Sequence, residues 1–179
     1  MATRTGSKFL FKIILAGSGG CGKTTLLNRF TTGTFSQNTK MTIGVDFAVY
    51  YVDVPDKGRA TLQIWDFGGE ERFRTMLPSF CLGAGGCLLF FDLMRPHTFY
   101  ELLDWIKIIK DNTKNIPIIL LGTKYDLLTS PSDLGVSVDE IVKLISTQSI
   151  QGYLNVSSKS GMNVKESFVK LTELMLSKK

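Results

Sequence analysis

The residues from Gly17 to Thr24, GSGGCGKT, have the types and spacing of a phosphate-binding loop, G-x-x-x-x-G-K-[ST]. Glycines let a backbone curl around phosphate groups with its N–H groups inward, and the helix that follows adds partial positive charge. We predict that Lys23 reaches the β- and γ-phosphates of a nucleotide and that the Thr24 hydroxyl binds Mg²⁺. The other loop residues predicted to contact the nucleotide are Ser18, Gly19, Gly20, Cys21, Gly22 and Thr25.

Two later stretches favour guanine over adenine as the base. GTKYD follows an apolar, strand-like run, and its Asp126 offers two acceptor oxygens that match the N1–H and N2–H₂ donors of guanine. The aliphatic stem of Lys124 can lie along the base. A second stretch, SSK, also follows a strand and can present backbone N–H groups to guanine O6; its residues are Ser157, Ser158 and Lys159. Each stretch alone is common in loops, but together, each at the end of a strand, they predict a guanine nucleotide site.

The stretch WDFGGEERF adds chemistry at the γ-phosphate. Asp66 and Gly69 form an Asp-x-x-Gly pattern, which beside a phosphate site senses the nucleotide, and the residue after the glycine normally handles an attacking water. Here that residue is Glu70, which brings a second negative charge close to a polyphosphate. We interpret Glu70 as a modified catalytic residue that orients water; the alternative is a solvated loop acid that never enters the site.

These motifs need a scaffold, and apolar strand-like runs alternate with amphipathic stretches along the chain. Predicted strands cover 9–17, 44–54, 59–66, 85–92, 116–124 and 152–157, with PDKG joining the second and third as a hairpin. Predicted helices cover 22–30, 98–111, 137–148 and 163–176. This alternation predicts an α/β fold whose mainly parallel sheet is covered on both faces.

The helix 98–111 is the one for which the pattern predicts most detail. A capping box of Thr98 and Glu101 is predicted at its start. Its apolar face is predicted to consist of Phe99, Leu102, Leu103, Ile106 and Ile109.

Composition limits the class of protein. The 179 residues predict a single domain from 9 to 177, with a flexible N-terminus at 1–8 and a short C-terminal end at 178–179. The net charge of +5 comes from scattered bases, whereas a nucleic-acid footprint needs a clustered stripe. The apolar runs are too short to span a bilayer. Three cysteines without metal-like spacing favour a reduced, cytoplasmic protein, and Cys21 is interpreted as small filler rather than a reactive thiol.

The chain resembles the small GTPases of the Ras superfamily over nearly its whole length. The resemblance rests on GSGGCGKT, TIGVDF, WDFGGEERF, TKYD and SSK, in the family's order, and TIGVDF and ERF are most similar to the Rab branch. It implies a P-loop NTPase fold, the small G domain, with a six-stranded sheet, one antiparallel strand and five helices. It also implies GTP or GDP with Mg²⁺ as the bound nucleotide and cofactor.

The resemblance assigns roles residue by residue. Thr42 is implied to be the switch I threonine, whose hydroxyl binds Mg²⁺ and whose backbone meets the γ-phosphate and the attacking water. Asp66 is implied to hold Mg²⁺ through a water, and the Gly69 amide to contact the γ-phosphate. Phe35 occupies the position of the aromatic that packs edge-on against guanine. Gly19 occupies a position where a side chain would obstruct catalysis.

Several residues depart from the family pattern. Thr123 stands where most members have Asn, although the Rho branch also uses Thr there, and Ser158 replaces the usual Ala. Thr39 stands where a Tyr usually covers the phosphates. Phe67 and Gly68 replace the usual Thr-Ala, and the paired glycines are similar to the Arf branch.

The function that these motifs predict is a GTP-binding molecular switch that hydrolyses GTP. The alternatives are a nucleotide-locked scaffold with negligible turnover, for which Glu70 is the sequence support, and a P-loop kinase or ATPase, which leaves TKYD and SSK unexplained. Implied partners are effectors, exchange factors and GTPase-activating proteins, which bind the switch regions. Phe47, Trp65 and Phe80 match the Rab-like aromatic triad that carries effector contacts, or are ordinary core packing.

A membrane location is expected only at the periphery. Rab and Ras proteins normally anchor through lipidated C-terminal cysteines, whereas this sequence ends at Lys179 without one. We therefore expect either a lipidated tail beyond this sequence or a protein that is not prenylated.

Overall fold

The computed structural model describes residues 7–37, 40–130 and 133–178, without the side chains of residues 71 and 72. Six strands form one sheet in the order β2-β3-β1-β4-β5-β6. They are β1 (Phe9–Ala16), β2 (Val45–Val54), β3 (Gly58–Phe67), β4 (Gly86–Asp92), β5 (Ile118–Thr123) and β6 (Gly152–Asn155). Only β2 runs antiparallel to its neighbour, β3; the other pairs are parallel. The predicted α/β fold and its antiparallel strand are confirmed.

The helical segments of the described residues are more numerous than the five that the resemblance implies. They are α1 (Lys23–Thr32), α2 (Glu71–Arg74), α3 (Leu77–Cys81), α4 (His97–Tyr100), α5 (Leu102–Asn112), α6 (Val138–Gln148) and α7 (Val164–Ser177). A 3₁₀ turn follows β5 at Tyr125–Leu127. None of the helices within the described ranges is long and apolar enough to cross a membrane.

The core has two halves, one on each face of the sheet, and β4 contributes to both. Leu89 and Phe91 belong to a cluster that includes side chains of α5 and α6, while Leu88 and Phe90 belong to a cluster with side chains of α1 and α7. Successive side chains of a strand point to opposite faces, so a strand buried on both faces must be apolar throughout. This explains the unbroken run GCLLFF.

The predicted helix 98–111 is interrupted at Glu101, between α4 and α5. The predicted capping box of Thr98 and Glu101 is wrong. The Thr98 hydroxyl accepts from the backbone N–H of Asp92 at 2.9 Å and donates to the Arg95 carbonyl at 2.7 Å, so it ties α4 to the end of β4. The Glu101 carboxylate has partners elsewhere, described below.

The apolar face of α5 is narrower than predicted. Leu103 is 53% exposed, whereas Trp105 is 1% exposed and packs in the core. A helix that restarts at Leu102 buries positions i, i+3, i+4 and i+7, and this stripe includes Trp105 but excludes Leu103. The placement of Leu103 in the core was therefore wrong.

The sheet brings the motifs to one edge. The phosphate-binding loop follows β1, WDFGGE ends β3, TKYD ends β5 and SSK follows β6. Ligands of open α/β sheets bind outside the carboxyl ends of the strands. The predicted flexible segment 1–8 lies almost entirely outside the described residues, as do Thr39 and Lys179.

Candidate functional site

A cavity of about 480 Å³ lies at the carboxyl edge of the sheet. The predicted site residues that line it are Gly19, Gly20, Gly22, Lys23, Thr24, Thr25, Phe35, Thr42, Gly69, Thr123, Lys124, Asp126, Ser158 and Lys159. Lining residues that the sequence did not reveal are Ser36, Gln37, Lys40, Met41, Phe67 and Leu127. Most of these belong to the connection between α1 and β2, which has no hydrophobic period to mark the residues that fold over a site.

Lys23 forms the floor of the phosphate end. It is 5% exposed, and its Nζ donates to the carbonyl oxygens of Gly17 at 2.7 Å and Ser18 at 3.1 Å. Burial lowers the pKa of the Lys23 ammonium. Gly22, directly before it, has a φ of 88°, in the left-handed region that glycine adopts without strain. The loop therefore curls around its own lysine.

Two predicted loop residues turn their side chains away from the cavity. The Ser18 hydroxyl donates to the Glu101 carboxylate at 2.5 Å. Cys21 is fully buried in the core, and burial raises the pKa of its thiol. Reactive thiols are partly exposed with a lowered pKa, so the interpretation of Cys21 as filler is confirmed.

Two hydroxyls and a carboxylate converge beside the loop. Thr24 Oγ1 lies 2.6 Å from Thr42 Oγ1 and donates to Asp66 Oδ2. Asp66 is fully buried, its Oδ1 has no hydrogen-bond partner, and burial raises the pKa of its carboxyl. Nowhere in the described ranges do three or more His, Cys, Asp or Glu side chains form a metal-holding group. Hydroxyl, carboxylate and phosphate oxygens are the ligands that Mg²⁺ prefers, so these residues fit Mg²⁺.

The paired glycines after β3 allow close backbone contacts. A Cβ at Gly68 would lie 2.5 Å from the carbonyl oxygen of Thr42, and a Cβ at Gly69 would collide with the backbone of Ser18 and Gly19. Any side chain at either position would push the end of β3 away from the phosphate-binding loop or from the segment that contains Thr42. The glycines therefore close the end of the cavity at which the γ-phosphate is predicted.

Glu70 lies directly before α2 in an extended conformation, with φ −73° and ψ 145°. Its backbone nitrogen is 4.0 Å from the place that a Cβ on Gly19 would occupy. The residue is half-buried beside the loop and is not part of the cavity lining. Its proximity agrees with the predicted role, and that role stays a prediction.

At the guanine end, Asp126 is oriented by the SSK stretch. The Ser157 hydroxyl, which is buried, donates to Asp126 Oδ1 at 2.6 Å. The backbone N–H of Tyr125 donates to the Val156 carbonyl at 3.2 Å, so the two loops are joined directly. The two stretches that the sequence paired are therefore adjacent in space.

Thr123 connects the two ends of the cavity. Its hydroxyl lies 2.8 Å from the carbonyl oxygen of Cys21 and 3.0 Å from that of Phe91, and donates to them. The base-binding loop is thus tied to the phosphate-binding loop and to β4. The tie needs a side-chain donor, which the Thr123 hydroxyl supplies and an Asn amide could also supply, so Thr in place of Asn keeps the connection.

An acid that the sequence analysis missed anchors Lys124. Asp92, at the end of β4, has a side chain only 1% exposed and accepts from Lys124 Nζ at 2.7 Å and from Arg95 Nε at 2.8 Å. Burial raises the pKa of Asp92, but the hydrogen bonds from Lys124 and Arg95 outweigh it and hold the pKa below its usual value. Arg95 also donates to the Gly19 carbonyl at 3.1 Å. No motif marked this acid, because Lys124 lies on a distant segment and only the fold brings it to Asp92 and Arg95.

The three aromatic residues of the predicted triad are in contact. The ring centroids of Phe47 and Trp65 are 5.4 Å apart, and those of Trp65 and Phe80 are 5.6 Å apart. Phe47 is 49% exposed, while the other two rings are partly buried against the core. The rings thus form one cluster that reaches the surface, and its role in effector contacts stays a prediction.

Comparisons with known proteins agree with this geometry. The family model described as Ras family matches residues 12–177. The Ras-related protein RABA1f of Arabidopsis thaliana is 37% identical over 164 residues, which cover 91% of this chain and 73% of the relative. The Ras-related protein Rab-13 of Canis lupus familiaris is 36% identical over 170 residues, which cover 94% of this chain and 81% of the relative. The chain therefore belongs to the Ras family, in its Rab branch, and is a GTP-binding switch that hydrolyses GTP.

Proposed function

We propose that this chain carries out the GTPase reaction with the residues of the cavity described above, with Mg²⁺ as cofactor. The observation that carries the proposal is that one cavity has Lys23 and Thr24 at one end and Asp126 at the other. A phosphate-binding lysine and a guanine-reading carboxylate therefore face the same volume.

The residues at the phosphate end neutralise the negative charge of the phosphate groups. Lys23 and the loop N–H groups neutralise the negative charge that develops on the transferring phosphoryl group. Thr24 and Thr42, with Asp66 acting through a water, would hold Mg²⁺, which when bound neutralises phosphate charge and orients the phosphate oxygens. The Gly69 amide contacts the γ-phosphate, and the backbone of Thr42 helps to position the attacking water. Hydrolysis removes the γ-phosphate and releases the segments that Thr42 and Gly69 belong to.

The residues at the guanine end select the base. Asp126 accepts from the two donors of guanine, and the stem of Lys124 packs along the base. Phe35 packs against its edge, and the backbone of Ser158 and Lys159 donates to O6. A site built to accept from these donors discriminates against adenine, which has no matching donor pair.

Glu70 has the role of orienting the attacking water. An ionised carboxylate can only accept hydrogen bonds, so it acts as an acceptor for a water proton. The alternative function is a scaffold that binds GTP without turnover, and in that case Glu70 would orient no water.

The test is single-turnover GTP hydrolysis by the wild type and by Glu70→Ala, together with the identity of the nucleotide in the purified protein. We expect bound GDP or GTP, and a hydrolysis rate that falls roughly 10- to 100-fold in Glu70→Ala because water loses its orientation. GTP affinity should not change. Glu166→Ala, which removes an exposed acid on α7, serves as the control. An unchanged rate in Glu70→Ala would mean that Glu70 is a solvated acid with no role in hydrolysis. A wild type that does not hydrolyse GTP would favour the alternative function, a scaffold that binds GTP without turnover.

The partners proposed for the cluster of Phe47, Trp65 and Phe80 are effectors, exchange factors and GTPase-activating proteins. The support is its position: Phe47 and Trp65 lie on the hairpin that follows Thr42, so a movement of Thr42 on nucleotide exchange would reach their surroundings. The location that we propose is cytoplasmic and at most peripheral to a membrane.

A further inference from the structure

Arg74, in α2, is docked on the start of α5. Its Nη2 donates to Glu101 Oε2 at 2.5 Å, and its guanidinium carbon lies 5.0 Å from the centroid of the Trp105 ring. Its Nη1 is 3.7 Å from the carboxylate of Asp104. The Arg74 side chain is only 19% exposed, so this position is packed as well as charged. Charge-assisted hydrogen bonds of this kind are the strong ones in proteins.

The oxygen of Glu101 that holds Arg74 also holds the phosphate-binding loop. Glu101 Oε2 accepts from the Ser18 hydroxyl at 2.5 Å. Glu101 lies at the break between α4 and α5, so its position is set by two packed helical segments rather than by a loop. One carboxylate oxygen therefore joins two segments that contact the nucleotide or its neighbours.

The other end of the Arg74 segment is also fixed on the phosphate-binding loop. Gly69 packs so closely on the backbone of Ser18 and Gly19 that a Cβ would collide with them. Residues 69–74, which include Glu70, thus run between two attachments: a backbone contact at Gly69 and an ion pair at Arg74. Glu101 closes this ring because it bonds to both Arg74 and Ser18.

We propose that Glu101 is a positioning residue for GTP hydrolysis, which holds residues 69–74 over the γ-phosphate through Arg74. The inference rests on the proposed function of Gly69 and Glu70. Glu101 also bonds to Ser18 of the phosphate-binding loop, but we expect its effect at the hydrolysis step, because the contacts proposed for GDP come from that whole loop and the guanine loops. Those loops have their own ties, through Lys23 and Thr123.

The variants that test this are Glu101→Gln, Arg74→Gln and the double variant. Glu101→Gln keeps the size and an acceptor oxygen but removes the charge that holds the guanidinium. Asp104→Asn is the matched control, because this acid lies on the same helix near the same arginine but its side chain is 71% exposed. Single-turnover GTP hydrolysis and GDP dissociation are measured for each.

We expect Glu101→Gln and Arg74→Gln each to slow hydrolysis roughly tenfold, with GDP dissociation within about threefold of the wild type. Asp104→Asn should stay near the wild-type rate. The double variant should be no slower than the slower single variant, since both remove one interaction. A wild-type rate in Glu101→Gln, or single effects that multiply in the double variant, would overturn the proposal. GDP release that rises by the factor by which hydrolysis falls would also overturn it, because the loss would then be general.

Tryptophan fluorescence tests the positioning without any turnover. The chain has two tryptophans, so Trp65→Phe leaves Trp105, beneath Arg74, as the only reporter. We expect its emission to differ between GDP and a non-hydrolysable GTP analogue, and this difference to vanish in Arg74→Gln and Glu101→Gln. A difference that persists in both variants would overturn the proposal. Absence of hydrolysis by the wild type would instead count against the proposed function. The fluorescence measurement would still test whether Glu101 positions residues 69–74.

Discussion

The two ends of the nucleotide cavity are built differently. At the guanine end, the functional side chains follow directly from core strands and have short, buried anchors. Asp126 is held by Ser157 at 2.6 Å, Lys124 by Asp92 at 2.7 Å, and Thr123 by backbone carbonyls at 2.8 and 3.0 Å. None of these anchors involves a phosphate.

At the γ-phosphate end, Lys23 and Thr24 belong to α1 and Asp66 to β3, but Thr42, Gly69 and Glu70 lie on connecting segments. Thr42 reaches the site through its contact with Thr24, and Gly69 packs on the loop through its backbone alone. Glu70 is followed by a helix of only four residues. The residues proposed to read the base are therefore part of the folded scaffold, whereas Thr42, Gly69 and Glu70, which are proposed to act at the γ-phosphate, are held by a few contacts that a nucleotide could strengthen or release.

The largest expected effect is at the guanine end, from Asp126→Asn. Loss of a charge-assisted pair with two guanine donors costs about 1.5–3 kcal/mol, or roughly 10- to 100-fold in GDP affinity. Asn keeps an oxygen that can accept from Ser157, so the loop should stay in place. Selectivity should shift towards xanthine nucleotides, whose extra carbonyl meets the new amide donor. Titration with both nucleotides measures this.

If the guanine end is independent of the γ-phosphate, Asp126→Asn must weaken GDP and GTP by the same factor. Asp133→Asn is the control, because this acid accepts from Thr129 and Ser130 outside the cavity. An unchanged preference for guanine would mean that this loop does not read the base. Unequal losses of affinity for GDP and GTP would mean that the guanine end is not independent of the γ-phosphate end.

A smaller and state-dependent effect is expected from Thr42→Ala. It removes the hydroxyl that lies 2.6 Å from Thr24, and with it a ligand proposed for Mg²⁺ in the triphosphate state. We expect single-turnover hydrolysis to fall about tenfold while GDP affinity stays nearly unchanged. Thr147→Ala, on the exposed side of α6, is the control. A loss of GDP affinity equal to the loss of GTP affinity would remove Thr42 from its role as the switch residue.

The same contrast explains what the sequence could predict. The six strands and the motifs at their ends were predictable, because buried parallel strands are apolar throughout and the loops that contact phosphates need glycines in set places. Packing between segments that are distant in the sequence was not predictable. The spacing of Thr98 and Glu101 fits a capping box, but Thr98 bonds to β4 and Glu101 to Ser18 and Arg74.

Local patterns were also less decisive where two interpretations fit. The capping box that does occur, at the start of α6, joins Ser137 and Glu140, with Glu140 N–H donating to Ser137 Oγ at 3.2 Å. It has the same three-residue spacing as the wrong one. What separates the two is the hydroxyl residue: Ser137 is the N-cap of α6, whereas Thr98 lies inside α4 and its hydroxyl bonds to the backbone of Asp92 and Arg95. Only the tertiary structure supplies that information.

The smallest expected effect concerns the support beneath the guanine end, from Asp92→Asn. Asp92 is buried and bonds to Lys124 and Arg95, whose side chains are each 37% exposed. Bonds to charged groups contribute about 1.5–3 kcal/mol, but water reaches both cations, so we expect the free energy of unfolding to fall by only about 1 kcal/mol. Urea denaturation with nucleotide removed measures this without a ligand contribution. Asp111→Asn is the control, since its pair with Lys107 at 3.7 Å is exposed.

The pH dependence of the difference in unfolding free energy between wild type and Asp92→Asn tests whether that difference comes from the charge of Asp92. The folded pKa of Asp92 lies below its usual value, so the folded state binds this proton more weakly than the unfolded state, where the pKa is about 3.9. The stabilisation by Asp92 is therefore complete above the unfolded pKa and is lost as the pH falls through the folded pKa. The difference between wild type and Asp92→Asn should be constant from about pH 7 to 5 and should narrow below about pH 4. A difference that persists unchanged in acid would mean that the loss comes from packing rather than charge, and the guanine end would then not depend on this ion pair.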